Sequence, residues 1–250
     1  MIDTHCHLDH CDPPSAELVD RARAAGLKRI ATVGMNGGSI GRALEAARNY
    51  EEVFAIVGRH PHESAGFGAA QLDEIERAAA EPDARAIGET GLDYYRDYAP
   101  RADQRRAFEA QLELAGRLGL PVAIHTRAAE DDTFAILHEH ADRLPAVILH
   151  CFSAPDRLDE CVERGYLCSF AGNVTYPKAT DLQRAASELP AELVLVETDA
   201  PFLSPQPVRG KPNEPAYVVH TAERLAELRS VSYAELERTV EDNAARVLGW

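Results

Sequence analysis

Short apolar runs alternate along this chain with longer stretches in which apolar positions recur at helical spacing. The apolar runs are 1–5, 27–33 (LKRIATV), 53–58 (VFAIVG), 84–88 (ARAIG), 121–125 (PVAIH), 146–150 (AVILH), 166–171 (YLCSFA) and 193–198 (LVLVET). They are rich in Val, Ile and Ala and alternate little, as expected of parallel strands buried on both faces. Between them, 102–118 keeps Phe108, Leu112, Ala115 and Leu118 on one helical stripe. The segments 215–229 and 232–248 also read as helices, the second opened by a capping box of Ser232 and Glu235. Eight strands alternating with helices in 250 residues predict an α/β fold, a single-domain (β/α)8 barrel over 1–250 with its active site at the carboxyl ends of the strands. A doubly wound open sheet is the competing architecture. No GxGxxG or GxxxxGK[ST] follows any strand, which removes the usual nucleotide cradles of that fold.

Composition narrows the function. Acidic residues outnumber basic ones 41 to 26, a formal charge of −15. Such a surface is poorly suited to gripping long nucleic acid, because that binding needs many cations against phosphates. A strand end drawn into a metal-lined pocket stays possible. The N-terminal MIDTHCHLDH has neither a basic nor an apolar signal region, and no run of ~18 apolar residues predicts a membrane span. The five cysteines are odd in number and lack CxxC spacing, which predicts a reduced, cytoplasmic protein.

The candidate chemistry lies at strand ends. His5 and His7 close the first strand two residues apart; Glu89, His125, His150 and Asp199 close strands four, five, six and eight. Taken singly, each has a structural reading: a histidine in a hydrogen-bonded pocket, a glutamate at a helix cap, an aspartate in the turn before Pro201. Six such residues at one rim point instead to divalent metal, with magnesium, manganese and zinc as candidates and room for two ions. The expected division gives His5, His7, Glu89 and Asp199 to one ion and Glu89, His125 and His150 to the other, with Glu89 bridging. Asp199 and Glu89 are the expected catalytic carboxylates, Asp199 as proton acceptor. Glu197 reads as a partner behind the ligands. His62, in Gly58-Arg59-His60-Pro61-His62, is a candidate for substrate or metal contact, with His60 orienting the loop. Arg127, Arg209 and Lys211 are candidate phosphate clamps, and Tyr94 or Tyr95 a candidate for base stacking. His10, His138, His140 and His220 fall on a loop or on helices and read as solvated or packed.

Taken in order, HxH, GRHPH, GETGLDYY (88–95), HTR (125–127), HCFS (150–153), SFAGNVTY (169–176), ETDAPFL (197–203) and RGKPNEP (209–215) resemble the TatD family over essentially the whole chain. The resemblance implies a metal-dependent hydrolase of the amidohydrolase-like barrels. It further implies a deoxyribonuclease acting 3′→5′ on DNA, with links to DNA repair or to deacylation of mischarged tRNA. Carried over by position, it implies the same six ligands. One departure is Ala154, where the family usually has glycine after HCFS. Sister enzymes with a bridging carboxylated lysine on strand four fit poorly: the only lysines are Lys28, Lys178 and Lys211, and Glu89 holds that position. The expected substrate is DNA at strand ends or in single strands. Ester or amide hydrolysis, on aminoacyl-tRNA or a small molecule, and a low-turnover metal-binding scaffold are the alternatives.

Overall fold

The computed structural model describes residues 1–250. Its eight strands pair in parallel and in chain order: β1 (Ile2–Cys6), β2 (Arg29–Gly34), β3 (Val53–Val57), β4 (Ala84–Asp93), β5 (Val122–Arg127), β6 (Val147–Leu149), β7 (Leu167–Phe170) and β8 (Val194–Val196). Hydrogen bonds across the last gap bring β8 round to β1: Asp199 N–H donates to the His5 carbonyl at 2.9 Å and His7 N–H to the Ala200 carbonyl at 2.8 Å. Helices α1 (Ser15–Ala24), α2 (Gly37–Asn49), α3 (Ala69–Ala79), α4 (Arg101–Leu118), α5 (Glu130–His140), α6 (Leu158–Arg164) and α7 (Thr180–Glu188) fill the first seven crossovers. After β8 come α8 (Val218–Arg229) and α9 (Tyr233–Leu248). This is the expected barrel, and strands with apolar residues at nearly every position are buried from both sides, as β3 is throughout.

Each strand lies where the apolar runs place it, with ends shifted by a residue or two except in β4. That strand continues to Asp93, five residues beyond its expected end. Gly88 and Gly91 carry the chain onward with φ +147° and +141° through an irregularity in register between Ile87 and Thr90. The backbone of β5 passes so close that a Cβ on Gly91 would overlap the His125 carbonyl, so only glycine fits there. Glu89 therefore sits inside a strand rather than at its tip, and its neighbours are fixed by sheet hydrogen bonds.

Two glutamines of α4 tie the neighbouring rim loops to this strand. Gln111 accepts from Arg59 N–H at 2.7 Å and donates to Thr90 Oγ1 at 2.7 Å, which holds the segment after β3 against β4. Gln104 accepts from Asp93 N–H at 2.8 Å and donates to the Ala99 carbonyl at 2.9 Å, closing the 94–100 loop. Both are fully buried, and their paired donors and acceptors avoid the cost of burying amides alone. At α9, Ser232 accepts from Glu235 N–H at 3.2 Å and its own N–H donates to Glu235 at 2.9 Å, the expected capping box. The expected helix at 215 starts later: Pro215–Tyr217 form a 3-10 turn and α8 begins at Val218.

Candidate metal centre

The closing ends of β1, β4, β5, β6 and β8 bring His5, His7, Glu89, His125, His150 and Asp199 into one cluster. Ligand-capable atoms lie within 4.8 Å of one another in three groups: His5 with Glu89 and His150, His5 with His7 and Asp199, and His60 with Glu89 and His125. Glu89 faces His5 Nε2 at 3.3 Å, His150 Nε2 at 3.0 Å and His125 Nδ1 at 2.7 Å. Asp199 faces His7 Nε2 at 3.4 Å. The His150 ring stacks on that of His5 at 3.8 Å and lies 5.9 Å from that of His125.

His5 is 1% exposed, and neither of its ring nitrogens has a hydrogen-bond partner. A buried polar atom without a partner carries a desolvation cost that natural structures rarely leave unanswered. Imidazole and carboxylate donors converging on such a ring have the chemistry of a site for a divalent transition ion. The residues fit the ion.

The partners behind the ring fix which nitrogen each ligand presents. Glu197, fully buried, accepts from His150 Nδ1 at 3.0 Å and from Cys151 N–H at 2.8 Å, leaving His150 Nε2 turned to Glu89. Asp93 faces His125 Nε2 at 3.1 Å and accepts from Tyr95 and Arg96 N–H at 3.0 and 2.8 Å, leaving His125 Nδ1 for the centre. Such carboxylate–imidazole pairs set the tautomer and raise ligand basicity. His60 differs. Its Nδ1 accepts from His62 N–H at 3.1 Å, so the neutral ring carries its proton on Nε2, which faces Glu89 at 3.5 Å. His60 thus presents a donor rather than a lone pair to the cluster.

Charge follows from this packing. Burial drives the Glu89 carboxyl upward, but the charge of His150, with the hydrogen bonds from His125 and His150, outweighs it and holds Glu89 well below its ordinary range. Burial also raises Asp199, and the His7 hydrogen bond with the nearby His150 overcomes it, so this carboxyl too lies below its usual value. For His60, burial dominates and lowers the ring to about 4, which keeps it neutral. The backbone is strained at the same rim. Cys151 holds φ of +45°, a region that residues other than glycine, asparagine and aspartate seldom occupy.

The outer residues divide. His62 meets Asp93 at 2.9 Å, which links it through that carboxylate to His125. Arg127 lies 4.2 Å over the Tyr95 ring and Arg209 3.8 Å over Tyr176. Lys211 is exposed on the loop after β8, which Asn213 folds back by donating to the Thr198 and Phe202 carbonyls at 2.9 and 2.6 Å. Tyr94 is not brought to the centre. Its hydroxyl donates to Asp132 at 2.6 Å and Arg101 covers its ring at 4.1 Å, so it packs against the helices. Asp93 and His60 are the residues that sequence reasoning missed or placed lower. The GLDYY and GRHPH strings contained them, but strand-end placement pointed past both. A cavity of about 380 Å³ beside Arg117, His140 and Arg143 contains none of the site residues.

A parallel eight-stranded barrel with imidazole and carboxylate side chains gathered at its carboxyl rim defines a TIM-barrel protein with a candidate divalent-metal site. The chain matches the family described as "TatD related DNase" over residues 2–249 and belongs to it. It is 39% identical over 265 residues to the "Uncharacterized metal-dependent hydrolase TatD" of Mycobacterium tuberculosis, covering 100% of this chain and 99% of that one. It is 35% identical over 239 residues to the "3'-5' ssDNA/RNA exonuclease TatD" of Escherichia coli, covering 93% and 92%. Among solved structures, the TatD homologue YjjV of Escherichia coli superposes with a TM-score of 0.93 at 30% identity, covering 100% and 98%. No helix is long and apolar enough to cross a membrane.

Proposed function

We propose that this protein is a metal-dependent nuclease that removes nucleotides from the 3′ end of single-stranded DNA, with His5, His7, Glu89, His125, His150 and Asp199 holding two divalent ions, magnesium, manganese or zinc. The observation that carries it is the buried His5 ring, unpartnered at both nitrogens, inside a cluster whose only anions are the two carboxylates Glu89 and Asp199. The relatives named as 3′→5′ exonucleases, at 35–38% identity, support the substrate and the polarity. Bound ions there would supply acidified water and neutralise charge growing on the phosphate oxygens.

The chain's own groups do the rest. Asp199, ionised and with its side chain 13% exposed, stands at the open side of the cluster and accepts the proton of the attacking water at a carboxylate oxygen. As water adds to phosphorus the P–O3′ bond breaks. The proton passes to the leaving 3′ oxygen, giving a nucleoside 5′-monophosphate and a strand one nucleotide shorter. Glu197 and Asp93 keep the His150 and His125 rings in place. Arg127 and Arg209, with Lys211, receive the phosphates of the strand, and His62 contacts the substrate beside Asp93. The free cysteines, all five unpaired, fit a reducing compartment such as the cytoplasm.

The test is cleavage of single-stranded DNA labelled at its 5′ end, with Mg²⁺, Mn²⁺, Zn²⁺ or EDTA, by the wild type and by Glu89→Ala and Asp199→Asn. The expected result is a metal-dependent ladder shortening from the 3′ end and absent from both variants. No cleavage by metal-loaded wild type, or cleavage unchanged in the variants, contradicts the reading and turns attention to aminoacyl esters and small amides.

A further inference from the structure

Six large apolar side chains are exposed on this protein, and they fall into two groups. Leu118 at the end of α4, Val162 on α6 and Val231 after α8 lie singly on the helical exterior, where scattered aliphatics are ordinary. The aromatic ones all lie at the catalytic end: Tyr95 and Tyr98, 62% and 67% exposed, in the loop after β4, and Phe202, 52% exposed, in the loop after β8. They flank the metal cluster on two sides. The Phe202 ring is 6.2 Å from that of His7. On the other side the Tyr98 ring is 4.8 Å from that of His62, which meets Asp93 and through it His125.

The nearby cations are arranged on rings as well. Arg127 lies over Tyr95 and Arg209 over Tyr176, while the Tyr176 hydroxyl is anchored by donating to the Ser204 carbonyl at 3.0 Å. In a chain of charge −15, neither guanidinium is drawn into an ion pair with a carboxylate; each presents a flat charged face beside the cluster. At a net charge of −15, a broad basic surface does not carry the binding of a polyanion here. Stacking needs no net charge, and every base has a face to offer.

We infer that Tyr95, Tyr98 and Phe202, with Arg127 over Tyr95 and Arg209 over the neighbouring Tyr176, are a stacking surface for the bases of a single-stranded nucleic acid whose 3′ end enters the metal cluster. This rests on reading the cluster as a nuclease centre. The bases next to the scissile bond lie against the rings, the two guanidinium groups meet the phosphates between them, and a duplex, whose bases are already stacked, gains nothing from the surface. Affinity then comes from rings more than from charge, so it falls little with salt.

The experiment uses the full chain with Mn²⁺ and three ligands. The first is a single-stranded oligonucleotide with 2-aminopurine at its penultimate position and phosphorothioate linkages at the 3′ end to resist cleavage. The second is the same strand made abasic upstream of its last nucleotide, with an anisotropy label. The third is bis(p-nitrophenyl) phosphate, which has no base. The wild type is expected to quench 2-aminopurine and to bind the base-bearing strand about tenfold more tightly than the abasic one. Tyr95→Ala, Tyr98→Ala and Phe202→Ala should each weaken the base-bearing strand about tenfold and narrow its advantage over the abasic strand. Tyr95→Phe and Tyr98→Phe should restore it, and Val231→Ala should behave as wild type. Equal binding of base-bearing and abasic strands, or quenching and affinity that none of the three alanine variants moves, overturns the inference. Failure of the wild type to hydrolyse bis(p-nitrophenyl) phosphate or any strand, with quenching intact, would instead count against the nuclease reading and leave the stacking surface standing.

Discussion

The two ends of the barrel are built on opposite principles. At the amino-terminal end, opposite charges meet. The Met1 amino group is buried against Glu237 and Glu241, Lys28 reaches Glu241 at 2.9 Å, and Asn243 donates to the Ala191 and Val194 carbonyls at 2.8 and 2.9 Å. At the carboxyl end, the His5 ring has no hydrogen-bond partner, Glu89 is ringed by histidines, and three aromatic rings face water. Five of the six non-glycine residues with positive φ, namely Asp97, Ala128, Cys151, Asp199 and Leu203, lie in the loops of that end. One end holds the barrel shut; the other keeps groups in states that only a ligand can satisfy. Proteins tolerate such local conflict where function needs it, and the scaffold elsewhere must supply the compensation.

The largest effect should come from removing the shared carboxylate. Glu89→Ala is expected to lower kcat/KM on single-stranded DNA by about 10³-fold or more, the scale set by losing a transition-state electrostatic partner. A variant that unfolds, or one that stays active, would erase the contrast between the ends.

Next comes the carboxylate behind His125. Asp93→Asn still accepts from Tyr95 and Arg96 N–H at one oxygen but places a donor where His125 and His62 now find an acceptor. Metal affinity or kcat/KM should fall about 10- to 100-fold while Tm holds, as measured by metal titration and thermal melts. Unchanged kinetics would mean that Asp93 serves the loop alone.

Metal itself should link the ends through stability. At a free concentration 100 times its Kd, an ion bound only by the folded protein adds about 2.7 kcal/mol, roughly 5–10 °C in Tm for a domain of this size. Glu89→Ala should lose that increment, and Glu241→Gln should keep it. The smallest effect belongs to Glu241. Burial raises its carboxyl, but Lys28 and the Met1 amino group outweigh this and hold it below the ordinary value of 4.5. A lowered native pKa stabilises above the unfolded value and loses that contribution as pH falls through it. Glu241→Gln should therefore cost about 1 kcal/mol, roughly 2–4 °C, at pH 7, with the difference closing below pH 4.5 and nuclease activity unaffected.

How far the sequence led depended on which physical signal each residue carried. The eight strands were legible because burial on both faces leaves an apolar run that no helix interrupts. The end of β4 was not, because Gly88 and Gly91 look like a turn until the close passage of β5 explains them. That hid Asp93, now the last residue of the strand and the partner of two histidines. His5 and His7 were expected on one strand face. In the structure β1 ends at Cys6, and His7 turns away at φ −119° and ψ 79° to meet Asp199. The tautomer of His60, set by one backbone N–H, has no trace in composition or spacing. Neither has the exposure that separates Tyr95 from Tyr94, whose hydroxyl is tied to Asp132 and whose ring lies under Arg101.

The central claim is that ions bind among His5, His7, Glu89, His125, His150 and Asp199, and anomalous scattering from a manganese-loaded crystal tests it most directly. Two anomalous peaks about 4 Å apart, with Glu89 between them and His5 beside one, are what the account predicts. A fully loaded crystal with no peak in the cluster, or with its peaks at surface carboxylates, would contradict it.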